Sequence, residues 1–152
     1  MARSEFIYVT YINTTAQKLW KALTNPEFQK QYWVGMKIDT DWKPGSQWQL
    51  TFPDGTTADH GQVVEFKPYE RIVLKWKNDW KTGLSAEGYS RCVMEIEPSE
   101  KAVKLTITHS IGKDKSRLIK AVSGGWPMVL SNLKSLLETG KVVKNRSDCG
   151  RD

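Results

Sequence analysis

Gly125-Trp126-Pro127-Met128-Val129-Leu130-Ser131-Asn132-Leu133-Lys134-Ser135-Leu136-Leu137-Glu138-Thr139-Gly140 is the stretch on which the architecture of this chain turns. Trp126, Val129, Leu130, Leu133 and Leu137 recur at i, i+3, i+4, i+7 and i+11, one continuous apolar stripe on a helix. Pro127 suits a first helical turn, and Gly140 is a natural stop after Glu138-Thr139. Upstream, Asp114 to Val122 reads as a weaker helical lead-in, with Ser123-Gly124-Gly125 as a break or kink. A single apolar stripe needs an apolar surface to lie against, and the preceding residues supply one.

Most of those residues alternate with period two. Phe6 to Ile12 is dense in β-branched and aromatic residues and predicts a first strand. Thr14 with Gln17 three residues on is a capping box, and Leu19, Trp20 and Leu23 follow at helical spacing. Asn25-Pro26 ends that helix and begins another, so two short helices fill Thr15 to Tyr32. Strands are predicted over Met36–Trp42, Trp48–Phe52, His60–Phe66, Ile72–Trp76, Arg91–Glu97 and Ala102–Ile111. Lys67-Pro68-Tyr69-Glu70 and Pro98-Ser99-Glu100-Lys101 read as hairpin turns, which makes the sheet an antiparallel meander. Ile72, Leu74 and Trp76 share a face, as do Cys92, Met94 and Ile96, and Val103, Leu105 and Ile107. Charged residues hold the opposite face, so one side is buried and one is wet.

The length of 152 residues, with 39% hydrophobic and 26% charged, describes one globular domain. We place that domain at 1–140 and a basic, loose tail at 141–152. Lys141, Lys144, Arg146 and Arg151 against Asp148 and Asp152 give the tail +2 of the net +6. The remaining excess is spread along the chain, which is a solubility pattern and not a nucleic-acid footprint. No apolar run is long enough for a membrane span, and no signal peptide is visible. The sequons at Asn13 and Asn145 then read as coincidence. Two cysteines, with Cys149 in the polar tail, point to a reducing cytoplasm.

Strand, two short helices, six strands and a long C-terminal helix is the order of the helix-grip fold, an α+β architecture. Asn25-Pro26, Gly61, Pro68-Tyr69-Glu70-Arg71 running into Ile72-Val73-Leu74-Lys75-Trp76, Leu105-Thr106-Ile107-Thr108-His109 and the Gly125–Gly140 helix resemble the SRPBCC superfamily. Within it, residues 5–140 look most like the branch named after the C-terminal domain of the activator of heat shock protein 90 ATPase. The resemblance implies a curved sheet of about seven strands gripping the long helix, with a cavity between them. It implies binding of a small hydrophobic or aromatic ligand there. The alternatives are a chaperone-interaction module and a cyclase-, aromatase- or hydrolase-type enzyme, since fold alone does not choose. The eponymous activator has a separate N-terminal chaperone-binding domain. The matching segment here begins near residue 5, so strong activation of the chaperone ATPase by this chain alone is not expected.

Trp48, Leu74, Trp76, Met94, Leu105, His109, Trp126 and Leu130 are the expected cavity lining. Plain core packing is the competing reading for the tryptophans, and is preferred for Trp20. Trp80, in a loop, either caps a cavity mouth or lies on the surface. Parity from Phe66 turns Val64, Gln62 and His60 inward, and His109 continues the row of Leu105 and Ile107. His109 and then His60 are the acid/base candidates, because imidazole titrates near neutrality; the bland reading is two satisfied structural histidines. No catalytic residue is otherwise assigned. Nothing matches metal-ligand spacing or a nucleophile elbow, and no cofactor is expected. Gly124-Gly125 lacks the Lys-Ser/Thr of a nucleotide loop, and the basic run Lys113, Lys115, Arg117 and Lys120 lacks interleaved aromatics.

Overall fold

Alternation of aromatic and β-branched residues carries β1 over Ser4–Ile12, and it lies at one edge of the sheet. The chain then crosses to the opposite edge through α1 (Ala16–Thr24) and α2 (Pro26–Tyr32). From there β2 (Lys37–Thr40), β3 (Gln47–Thr51), β4 (Thr57–Lys67) and β5 (Arg71–Asn78) walk back across the sheet. A short helix, α3 (Thr82–Ser85), precedes β6 (Ser90–Ser99) and β7 (Ala102–Ile111), and α4 (Arg117–Thr139) closes the chain. The order is β1-β7-β6-β5-β4-β3-β2, with every neighbouring pair antiparallel. This is the helix-grip arrangement the element order predicts. The computed structural model describes residues 3–79 and 81–144. Trp80, Cys149 and the sequon at Asn145 lie outside them.

Local chemistry accounts for the helix ends. The cap of α1 is Thr15, one residue later than the capping box implies; its hydroxyl accepts from the Lys18 amide at 3.2 Å. Asn25 serves both short helices. Its backbone N–H closes α1 on the Lys21 carbonyl, and its side chain accepts from the Glu27 amide at 2.9 Å. Buried Gln29 ties the helices to the sheet, donating to the Leu23 carbonyl and accepting from the Ile38 amide.

The long helix corrects the expected break. α4 runs for 23 residues from Arg117, straight through Ser123-Gly124-Gly125 and Pro127. Two glycines and a proline disfavour a helix by propensity, but Leu118 and Ile119 extend the buried stripe of Trp126, Val129, Leu130 and Leu133 by two turns. Burial of that longer face outweighs the propensity. Its N-terminus is held from a distance: the Glu87 carboxylate accepts from Ser116 Oγ and from the amides of Arg117 and Leu118. Gly140, at φ +83°, ends it as expected. Beyond Gly140 the chain folds back, and buried Asn132 accepts from the amides of Val143 and Lys144.

A second correction concerns β4. Its register with β5 shifts between Val63 and Glu65, so Val64 is bulged outward. Phe66 does point inward, against Trp20 and Trp42. Across the bulge the parity inverts: Val63, Gly61 and Asp59 are buried, while His60 and Gln62 lie on the outer side. Glu65 joins that outer side, where Arg71 reaches both it and Glu95.

Candidate functional site

Between the sheet and the N-terminal half of α4 lies a cavity of about 270 Å³. Trp33 and Met36 close it from the α2–β2 side, and Leu50, Ala58 and Trp76 form its floor on β3, β4 and β5. Leu118, Val122, Gly125, Trp126 and Val129 form its roof on α4, with Leu84 of α3 at one end. The walls are mostly carbon. Gly125 is part of this lining, and a Cβ built on it would meet no atom within 4 Å. Asp59, Asn78 and Lys81 are the polar residues of the wall.

The expected lining is divided by the structure. Trp76 and Trp126 border the cavity. Leu74, Met94, Leu105 and Leu130 are instead buried in the core between the sheet and α4. Trp48 is fully buried behind Trp76, with ring centroids 4.6 Å apart, and its indole N–H donates to the Lys75 carbonyl at 3.0 Å. His109 lies behind Trp126, one bond removed from the cavity. The cavity lies toward β3, β4, the C-terminal end of β5 and the N-terminal half of α4.

Two buried hydrogen-bond chains fix the indoles. Trp76 Nε1–H donates to Asp59 Oδ2 at 2.7 Å, and Asn78 Nδ2 donates to Asp59 Oδ1 at 2.9 Å. Asn78 Oδ1 accepts from the Lys81 amide at 2.9 Å. Trp126 Nε1–H donates to His109 Nδ1 at 3.2 Å, which leaves Nε2 of the same ring to donate to Ser90 Oγ at 2.7 Å. Ser90 Oγ in turn donates to the Trp76 carbonyl. His109 is thereby held as the neutral Nε2–H tautomer, because a second ring proton would face the donating indole. Burial pushes its pKa down to about 4. Both ring nitrogens of His109 are thus hydrogen-bonded within the protein, one of them to the Trp126 indole.

Asp59 was not legible in the sequence. Desolvation by burial raises its pKa to about 6, with the charge of Asp79 adding to it, while the bonds from Trp76 and Asn78 and the charge of His60 work the other way. Unbroken alternation from Phe66 puts Asp59 on the wet face, where an acid attracts no notice. Only the bulge at Val64 turns it inward. The same bulge removes His60 from the interior, where parity places it. His60 Nδ1 lies 2.5 Å from Asp79 Oδ2 and Nε2 lies 3.1 Å from the Tyr89 hydroxyl, on the outer side of the sheet. Among the described residues no group of His, Cys, Asp and Glu is arranged to hold a metal ion.

A curved antiparallel sheet closed on a long C-terminal helix, with an apolar cavity between them, defines a helix-grip protein of the SRPBCC type. The family follows from sequence: the family described as Activator of Hsp90 ATPase homolog 1-like protein matches residues 13–138, and the chain belongs to it. A protein in the solution structure of the Aha1 dimer from Colwellia psychrerythraea is 19% identical, with a TM-score of 0.73 over 91% of this chain and 98% of that one. An HSP90 activator from Plasmodium falciparum is 23% identical, with a TM-score of 0.70 over 88% and 95%. A protein from Cytophaga hutchinsonii solved in solution is 26% identical, with a TM-score of 0.69 over 88% and 93%. No curated protein sequence matches the chain. No described helix is long and apolar enough to cross a membrane.

Proposed function

We propose that this chain is a cytoplasmic protein that binds a small hydrophobic or aromatic ligand between the sheet and the N-terminal half of α4. The observation that carries the reading is the cavity of about 270 Å³ walled by Trp33, Trp76 and Trp126. An apolar cavity of about 150 Å³ already takes up benzene, so this one has room for a substituted aromatic ring. Both indole N–H groups are tied to the protein, so the small part of Trp76 and Trp126 that borders the cavity is carbon. Turnover gains no support from this arrangement, since His109 is neutral and engaged and His60 is on the other side of the sheet.

Gly125 provides the test. Gly125→Leu directs a branched side chain into open space and is expected to abolish binding, while Gly125→Ala retains it and raises stability by up to about 1 kcal/mol. Titration with tert-butylbenzene should shift tryptophan emission saturably in the wild type and in Gly125→Ala, but not in Gly125→Leu. A wild type that shows no saturable change overturns the proposal.

A second reading, docking to a chaperone, is favoured by one surface feature. Ile7, Val9 and Tyr11 stand exposed in a row on the outer face of β1, beside Thr108, Thr106 and Lys104 of β7. An assay of the heat shock protein 90 ATPase with stoichiometric amounts of this chain tests it. Large stimulation that Val9→Lys removes would put the docking reading first.

A further inference from the structure

Resting on the ligand-binding reading above, we infer that the ligand carries a positively charged nitrogen, and that Asp59 together with the faces of Trp33, Trp76 and Trp126 selects it. The polar atoms of the cavity wall have unequal capacity left. The indole N–H groups of Trp76 and Trp126 are committed to Asp59 and His109. The Asn78 side chain uses one Nδ2–H on Asp59 and one Oδ1 lone pair on the Lys81 amide, and what it keeps is neutral. The Asp59 carboxylate accepts one hydrogen bond on each oxygen, and an ionised carboxylate offers about four acceptor positions. It therefore retains acceptor capacity and negative charge inside an apolar chamber. The nearest cationic side chain, His60, is paired with Asp79, and an organic cation seated in the chamber brings a positive charge directly to the buried carboxylate.

The aromatic walls suit the same guest. Trp33 and Trp126 lie with ring centroids 5.4 Å apart, and Trp76 and Trp126 5.9 Å apart, so three clustered indoles share the cavity wall with the carboxylate. Indole faces attract cations, more so where water is excluded. Neutral aromatics gain from the same walls but bring no charge to the Asp59 carboxylate. The charged and titratable groups around Asp59 are few. His60 is its neighbour on β4, Asp79 follows β5, and Lys81 borders the cavity ahead of α3. The cavity-facing residues of α4, α3, β3 and the α2–β2 segment bring none. Asp79 and His60 are paired with each other at 2.5 Å, which leaves Lys81 as the one wall residue opposed to a cation.

The experiment compares phenyltrimethylammonium with tert-butylbenzene, which has the same shape and no charge, and with benzoate, each titrated against the full chain by tryptophan emission. At pH 8 the cation is expected to bind at least tenfold more tightly than either. Because the Asp59 carboxyl titrates near pH 6, protonation at pH 5 should weaken cation binding about tenfold while leaving tert-butylbenzene almost unchanged. Asp59→Asn should bring the preference for the cation close to unity while tert-butylbenzene still binds. The wild-type pH series decides the matter even where that variant fails to fold. Equal or tighter binding of tert-butylbenzene, or a preference indifferent to pH, overturns the charge selection and leaves the cavity reading intact. A preference for benzoate overturns it in favour of Lys81. Failure of all three probes to bind overturns the cavity reading along with it.

Discussion

Gly61→Ala is expected to cost the protein its fold, with unfolding free energy reduced by more than about 4 kcal/mol and soluble yield lost at ordinary growth temperature. Gly61 lies on β4 directly between Trp48 of β3 and Trp76 of β5. A Cβ at this position would sit 1.6 Å from the Lys75 carbonyl oxygen and 2.9 Å from Trp48 Nε1. Those atoms form a hydrogen bond with each other, so a methyl group would have to displace both a ladder carbonyl and a fully buried indole. Neither is the free end of a flexible chain. The Trp48 ring packs on Trp76, so the displacement would reach the cavity floor and the Asp59 bond. Gly125→Ala is the internal control, since its Cβ enters open space. Thermal unfolding of the two variants should differ by roughly 10 °C or more. A Gly61→Ala protein melting within a few degrees of wild type would show that the strands can part without consequence.

The second large effect lies in the pH dependence of stability, where two buried groups oppose each other. The native His109 pKa is about 4 against an ordinary 6.5, so between those values the unfolded chain binds the additional proton. Stability from this group is fully present above about pH 6.5 and lost as pH falls toward 4. At about 1.4 kcal/mol per pH unit the loss approaches roughly 3 kcal/mol. Asp59 runs in the other direction. Its native pKa of about 6 exceeds the ordinary 3.8, so the folded chain holds its proton more tightly. Its contribution is fullest below about pH 3.8 and declines as pH rises through 6, again by roughly 3 kcal/mol. In the wild type the two slopes largely cancel. Asp59→Asn should expose the histidine, with stability relative to wild type climbing by roughly 3 kcal/mol from pH 4 to pH 7. His109→Gln should expose the aspartate and fall over the same range. Urea unfolding at several pH values measures both, and difference curves of the same sign would refute the opposition.

Legibility follows the range of the forces involved. The period-two faces of β5, β6 and β7, the double use of Asn25, the stripe from Trp126 to Leu137 and the stop at Gly140 rest on contacts between residues close in sequence. Each is written in the residues themselves, and together they determined the helix-grip fold and its element order. The continuity of α4 with its lead-in was not written there. Glycine and proline signal a break locally, and what overrides them is burial of Leu118 and Ile119 and a cap from Glu87, which lies beyond β6 and β7 in the chain. The bulge at Val64 is likewise a property of two paired strands, not of β4 alone. From it come the inward turn of Asp59 and the outward turn of His60, which a one-residue change of parity exchanges. Sequence therefore determined the fold and the presence of inward tryptophans. Tertiary packing alone decided which of them line space, which carboxylate faces that space, and which ring nitrogen of His109 carries the proton, because each depends on atoms brought together from strands and helices far apart in the chain.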